Sequence, residues 1–167
     1  LIAVALSAGG SNAVAQDKAA PVVLTPITMK VLSPPRILPG SDGRQHVVYE
    51  LRVGNATPLD VELTAVQVLA AGKGRIVGRL DTAGVAARLA VGANRGQMRA
   101  KLGAAQYGIL FLHVSFPDLA SVPARLTHRV RVVFAPRPKG MTMTGGATAV
   151  SRTPPPVLGA PLRGKNY

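Results

Sequence analysis

Residues 25–151 predict an all-β domain, an immunoglobulin-like antiparallel β-sandwich of about seven strands, and three observations carry that prediction. Apolar and polar residues alternate with period two through most of the stretch. The 18 Gly and 14 Pro punctuate the chain with turn signals and argue against long helices. The chain is 47% apolar yet holds three Phe, three Tyr and no Trp, so a core is available and it must be aliphatic.

The elements follow in order. "ITMKVL" (27–32) is the first strand candidate, and the turn-rich "SPPRILPGSDGR" comes after it. "QHVVYELRV" places Val47, Tyr49, Leu51 and Val53 on one face and His46, Glu50 and Arg52 on the other. "LDVELTAVQVL" starts with Leu59, Val61 and Leu63 inward, then changes phase to Val66 and Val68, which predicts a bulge near Thr64 and Ala65. "AAGKG" is a hairpin turn with "RIVGRL" (75–80) as its return strand. "TAGVAARLAV" (82–91) has a short helical look, and 92–101 read as a loop. "YGILFLHVSF" (107–116) is the strongest strand and predicts a central place. "PARLTHRVRVVF" (123–134) sets Leu126, His128, Val130, Val132 and Phe134 against Thr127, Arg129 and Arg131, and "TMTGGATAVS" supplies a last strand.

The ends have a different character. "LIAVALSAGGSNAVAQDK" opens apolar and reaches Ala13, Val14 and Ala15, the small-residue pattern of a signal-peptidase site. Residues 1–15 are therefore expected to be part of a signal peptide, 16–24 a flexible segment, and the mature protein exported to the periplasm or beyond. Gly9, Gly10, Ser11 and Asn12 interrupt the apolar run well short of the ~20 residues a membrane span needs, so no transmembrane segment is expected in the mature chain. Residues 152–167 read as a Pro-rich linker, a semi-rigid spacer with Arg152, Arg163 and Lys165 as its charges.

Charge is the main functional signal. Twenty Lys and Arg against seven Asp and Glu give +13 at neutral pH, which draws polyanions by long-range electrostatics. Between Lys73 and Lys101 the basic residues are opposed only by Asp81, and Arg75, Arg79, Arg88, Arg95 and Arg99 are the candidate polyanion contacts. With six aromatic residues and no basic-aromatic interleaving, nucleic acid is not the expected partner. Edge strands leave pairing between copies open.

Catalytic chemistry is poorly provided for. The absence of Cys excludes disulfides, thiolate metal sites and a cysteine nucleophile. His46 and Glu50 form H-x-x-x-E, but four strand residues separate them by about 13 Å, too far to share an ion. A catalytic zinc needs three ligands near 2 Å, and no H-x-H or H-E-x-x-H supplies them. A site on His113 and His128 requires neighbouring strands to bring the two together; otherwise each reads as a hydrogen-bonded core histidine. Asp42 in its Gly-rich stretch reads as a turn former, and no phosphate-binding loop occurs. No enzyme activity, cofactor or resident metal is expected.

Five stretches, "VLSPPRILPGSDGRQHVVYEL", "VGNATPLDVEL", "GILFLHVSF", "VPARLTHRVRV" and "PPPVLGAPLRG", resemble the N-terminal β-sandwich region of exported bacterial proteins that carry a lysostaphin-type zinc metallopeptidase domain. The resemblance covers roughly 29–164, and in that family the Pro-rich tract is the junction into the peptidase. It implies a non-catalytic accessory domain that positions or masks a peptidoglycan-cutting unit, with the peptidase domain or an anionic cell-wall polymer as partner. The family's zinc signature, H-x-x-x-D with H-x-H, is missing here, so no zinc ligand carries over, and "GKNY" at the end departs from the family's usual continuation. The alternative expectation is a free-standing periplasmic binding or chaperone-like module that captures an extended strand at a sheet edge or binds an anionic polymer.

Overall fold

The computed structural model describes residues 25–92, 99–135, 137–154 and 156. Two antiparallel sheets pack face to face, as the alternation requires. The first holds β1 (Ile27–Val31), β2 (Arg36–Pro39), β3 (Gln45–Asn55), β6 (Leu89–Val91) and β8 (Tyr107–Phe116), in the order β1-β3-β8-β6 with β2 also on β3. The second holds β4 (Val61–Ala70), β5 (Ile76–Asp81), β7 (Lys101–Leu102), β9 (Arg125–Phe134) and β10 (Arg137–Ala149), in the order β10-β9-β4-β5 with β7 also on β4. One short helix, α1 (Thr82–Ala86), joins β5 to β6. The Asp81 carboxylate caps it by accepting the Gly84 N–H at 2.8 Å.

The sandwich is as predicted, with ten strands among the described residues rather than about seven. The three additions are short. β2 lies in the stretch read as turn; Pro35 and Pro39 suit it only to an edge. β6 follows α1 within the passage read as helical, and β7 begins at Lys101, the last residue of the expected loop, and ends at Leu102. None is long enough to show a period of two, and each exists because a longer strand offers it a partner. The bulge predicted at Thr64 and Ala65 is present, as a register shift between Leu63 and Ala65 against β9. β8 lies between β3 and β6. Leu59, expected inward, is 38% exposed and precedes β4. Buried Asn55 holds that turn, donating from Nδ2 to the Leu59 and Gly103 carbonyls at 2.6 and 2.8 Å.

The core is aliphatic: Val47, Leu51 and Val53 of β3, Leu63 and Val66 of β4, Leu110 of β8 and Leu126, Val130 and Val132 of β9 are all fully buried. Each such side chain contributes about 1.5–3 kcal/mol by leaving water. One polar group crosses this layer. His128 is wholly buried; its Nδ1–H donates to the Gly146 carbonyl at 3.0 Å, and its Nε2 accepts from the Tyr49 hydroxyl at 2.8 Å. Tyr49 belongs to the first sheet and His128 to the second, so the bond ties the two layers together. Gly146 sits in a break of register between Gly145 and Thr148, with φ of +63°. That bulge gives its carbonyl to the imidazole. A Cβ at Gly146 would press on His128 Nδ1, Leu51 Cδ1 and Met29 Cβ at 3.0–3.3 Å, so glycine is required twice over. Gly146→Ala is expected to cost about 1–3 kcal/mol, read as a lower midpoint in urea unfolding.

Burial holds the His128 pKa down at about 4, against 6.5 for the free side chain, while Tyr49 is pushed up out of the titrating range for the same reason. In the unfolded chain His128 takes up a proton as pH falls through 6.5, but in the folded chain only near 4. The unfolded state therefore binds more protons in that window, and stability drops as the pH is lowered through it. The expected loss is about 3 kcal/mol between pH 7 and 4. His128→Gln, which keeps a donor and an acceptor without the titration, should flatten the urea-midpoint profile over that range. An equally steep profile in the variant would place the acid sensitivity elsewhere.

Candidate functional site

Strand register brings together basic residues that are far apart in sequence. Arg79 of β5 pairs with Gln67 of β4, Gln67 with Arg129 of β9, and Arg129 with Thr144 of β10. These four stand in one row on the outer face of the second sheet, because the flanking positions Val68, His128 and Val130 point into the core. The next row holds Asp81, Ala65, Arg131 and Thr142. Arg125, four residues before Arg129, is exposed on the same face. Neighbouring strands lie about 4.8 Å apart and alternate residues about 6.7 Å apart, so Arg79, Arg129 and Arg131 stand within roughly 10–12 Å of one another at the backbone.

The guanidinium groups have neutral partners. Arg129 Nη1 donates to Gln67 Oε1 at 3.4 Å, and Arg131 Nη2 donates to the Lys139 carbonyl at 2.7 Å. Among the described residues the single contact of a carboxylate with a basic side chain joins Asp42 to His46 on the side of the other sheet, so no carboxylate neutralises this face by direct contact. Glu62 stands at the end of it, paired in register with Lys101 of β7. Asp81 is occupied with the cap of α1.

The five arginines expected to act together are divided. Arg79 is on the row just described. Arg75 is exposed in the β4–β5 connection, where its carbonyl accepts the Ala70 N–H at 2.8 Å. Arg88 lies beside the first sheet, ahead of β6, and its carbonyl accepts the Phe111 N–H at 3.1 Å. Arg99 precedes β7 and lines a broad cleft of about 1160 Å³ together with Lys101, Asp60, Glu62 and Tyr107. Arg95 falls outside the described residues. Sequence density picked out Lys73 to Lys101, whereas the sheet assembles Arg79 with Arg125, Arg129 and Arg131. The alternation of "RLTHRVRV" already placed Arg129 and Arg131 on one outward face; their pairing to β5 through Gln67 needed the register.

The histidines also differ from expectation. His113 and His128 do not meet: His128 is sealed in the core, and His113 is on the exposed outer face of the first sheet. His113 is no core histidine, since its place on β8 alternates with buried Leu112 and Val114. Its partner is His46, with Nδ1 of His46 and Nε2 of His113 2.7 Å apart. His46 meets a carboxylate from outside its own strand, Asp42, whose Oδ1 accepts from His46 Nε2 at 3.0 Å. Asp42 is a turn former as expected, accepting the Arg44 N–H at 3.0 Å beside Gly43 at φ +76°. The bond from His46, and then that from Arg44, hold the Asp42 carboxyl below the usual carboxylate range. Among the described residues no group of three His, Cys, Asp or Glu side chains converges as a metal site, and no helix is long and apolar enough to cross a membrane.

No family model matches the chain, and no curated protein matches it. Two solved structures align with this chain at low similarity. A Northeast Structural Genomics Consortium target solved by X-ray crystallography has a TM-score of 0.48 at 9% identity, over 87% of this chain and 99% of that one. A crystal structure of a Bordetella pertussis protein assigned as ApaA has a TM-score of 0.44 at 15% identity, over 76% of this chain and 95% of that one.

His46→Phe removes the main bond to Asp42 while keeping a planar ring on the strand. The Asp42 pKa should rise toward the ordinary carboxylate value, followed by NMR titration of its side-chain carbon. An unmoved Asp42 titration would show that the carboxylate does not depend on His46.

Proposed function

We propose that this sandwich is a non-catalytic accessory module working outside the cytoplasm, which holds or masks a peptidoglycan-cutting metallopeptidase unit near the cell wall by contact with an anionic polymer. The observation that carries this reading is the arginine row on the outer face of the second sheet. Arg79, Arg129 and Arg131 are spaced at strand intervals, have no carboxylate in contact among the described residues, and sit on a rigid sheet. A regularly charged linear polymer meets such a row along its length, and arginine binds phosphate and carboxylate groups in a fixed fork. The resemblance in "PPPVLGAPLRG" to a junction supports the accessory role.

The first sheet favours a second reading, capture of an extended strand. β6 pairs only with Gly108, Ile109 and Leu110 of β8, so among the described residues the rest of β8 has no strand partner on that side. An incoming segment would bind there through main-chain hydrogen bonds.

One experiment separates the two. Retention of the protein on peptidoglycan carrying its anionic polymer should fall steeply between 50 mM and 500 mM salt, as screening shortens the electrostatic reach. The R79Q/R129Q/R131Q triple variant should lose tenfold or more of that retention, whereas Arg88→Gln should keep most of it. Binding that ignores both salt and the triple variant would overturn the polymer reading in favour of strand capture.

A further inference from the structure

The Asp42, His46 and His113 group lies on the sheet opposite the arginines and has no part in the function proposed above. Its chemistry is that of a chelate. His46 stands opposite Ser115 and His113 opposite Val48, so the two histidines are diagonal neighbours on adjacent antiparallel strands. Their rings are 5.0 Å apart at an angle of 32°, and His46 Nδ1 and His113 Nε2 lie 2.7 Å apart. A bond of that kind needs a proton on one nitrogen and a lone pair on the other.

Asp42 decides which nitrogen of His46 carries the lone pair. Its carboxylate accepts from Nε2–H, so the neutral ring turns its Nδ1 lone pair toward His113. His113 in turn offers its Nε2 lone pair once its own proton resides on Nδ1, for which the described residues supply no competing partner. Two lone pairs then face one another across 2.7 Å. A carboxylate on the far N–H of a histidine is also the arrangement that fixes the ring and raises its basicity when it ligates a metal.

We propose that His46 Nδ1 and His113 Nε2 chelate a borderline divalent cation of the zinc class in place of the proton they share, with Asp42 as the positioning residue behind His46 and water completing the coordination. Imidazole nitrogen is the ligand that suits such ions. A tetrahedral ion at about 2.0–2.1 Å from each nitrogen holds them roughly 3.3 Å apart. The two rings must therefore separate by about 0.6 Å and turn so that both lone pairs point to one side of the line between them, a movement open to an exposed His113 and a His46 whose side chain is 21% exposed. Gly40 leaves room on the other side: a Cβ there would overlap both the Asp42 carboxylate and the His46 ring. Arg44 is directed to Ser115, donating to its Oγ at 3.3 Å and its carbonyl at 3.4 Å. With two protein ligands the site binds more weakly than a three-ligand centre and stays open to a ligand from outside.

The test is a Zn²⁺ titration of the full chain at pH 7.5 against a competing chromophoric chelator, with the histidine ring resonances followed by NMR. The expected result is one equivalent bound, with His46 and His113 signals perturbed and His128 unmoved. His46→Gln and His113→Gln should each lower affinity at least tenfold, and Asp42→Asn should lower it about tenfold. Thermal melts of the same variants establish that each keeps its fold, as substitutions on a solvated strand face should. Absence of zinc binding by the parent chain overturns the proposal. So does zinc binding that the His46→Gln and His113→Gln variants leave unchanged.

Discussion

The imidazole of His128 is the constraint on which the arrangement of both faces rests. A buried histidine is tolerable only when each ring nitrogen has a partner, since an unpaired one costs about 1–3 kcal/mol. Here the partners come from different layers: a tyrosine hydroxyl on β3 and a carbonyl in the bulge of β10. Hydrophobic contacts alone tolerate sliding of one sheet over the other, because they are non-directional. Two directed bonds through one flat ring do not. They set the position of β3 relative to β9 and require the break in β10 at which Gly146 turns its carbonyl inward.

That registration reaches the surface through strand parity. With His128 inward, Arg129 and Arg131 must point outward. A slip of β9 by one residue would bury both guanidinium groups and expose Val130 and Val132. The same parity on β4 and β5 puts Gln67 and Arg79 in line with Arg129. The basic row is therefore a consequence of the core, and the glycines at 145 and 146 belong to its construction as much as the arginines do.

How much of this was legible in the sequence depends on the range of the interaction. Period two is a local property, and it gave the seven long strands, the inward set of β3 and the phase change in β4 at Thr64. β2, β6 and β7 escaped because a two- to four-residue strand has no period of its own and exists only where β3, β8 or β4 accepts it. His128 was legible as a core histidine, since it lies in phase with Leu126 and Val130; its Tyr49 and Gly146 partners were not. The pairing of His46 with His113 spans 67 residues. Both are outward by alternation, but contact needs the register of β3 on β8, which no local pattern encodes. The five arginines grouped by sequence density came apart for the same reason: the chain between 73 and 101 leaves the second sheet, turns through α1 and pairs with the first.

Distance decides what that separation means for charge. At physiological ionic strength the screening length is about 8 Å, and two packed sheets stand about 10 Å apart before their outward side chains are added. Arginines on one face, a strand or two apart, act on a bound anion together. Arginines on opposite faces act on it separately. The net charge of +13 draws a polyanion from any direction, but orientation at contact is set by the face where guanidinium groups lie in line. A polymer seated on Arg79, Arg129 and Arg131 would leave the first sheet turned away, with the His46–His113 pair and the stretch of β8 that lacks a strand partner among the described residues on the far side. The core that separates the two faces also holds them in fixed relation, so what meets one face is oriented with respect to the other.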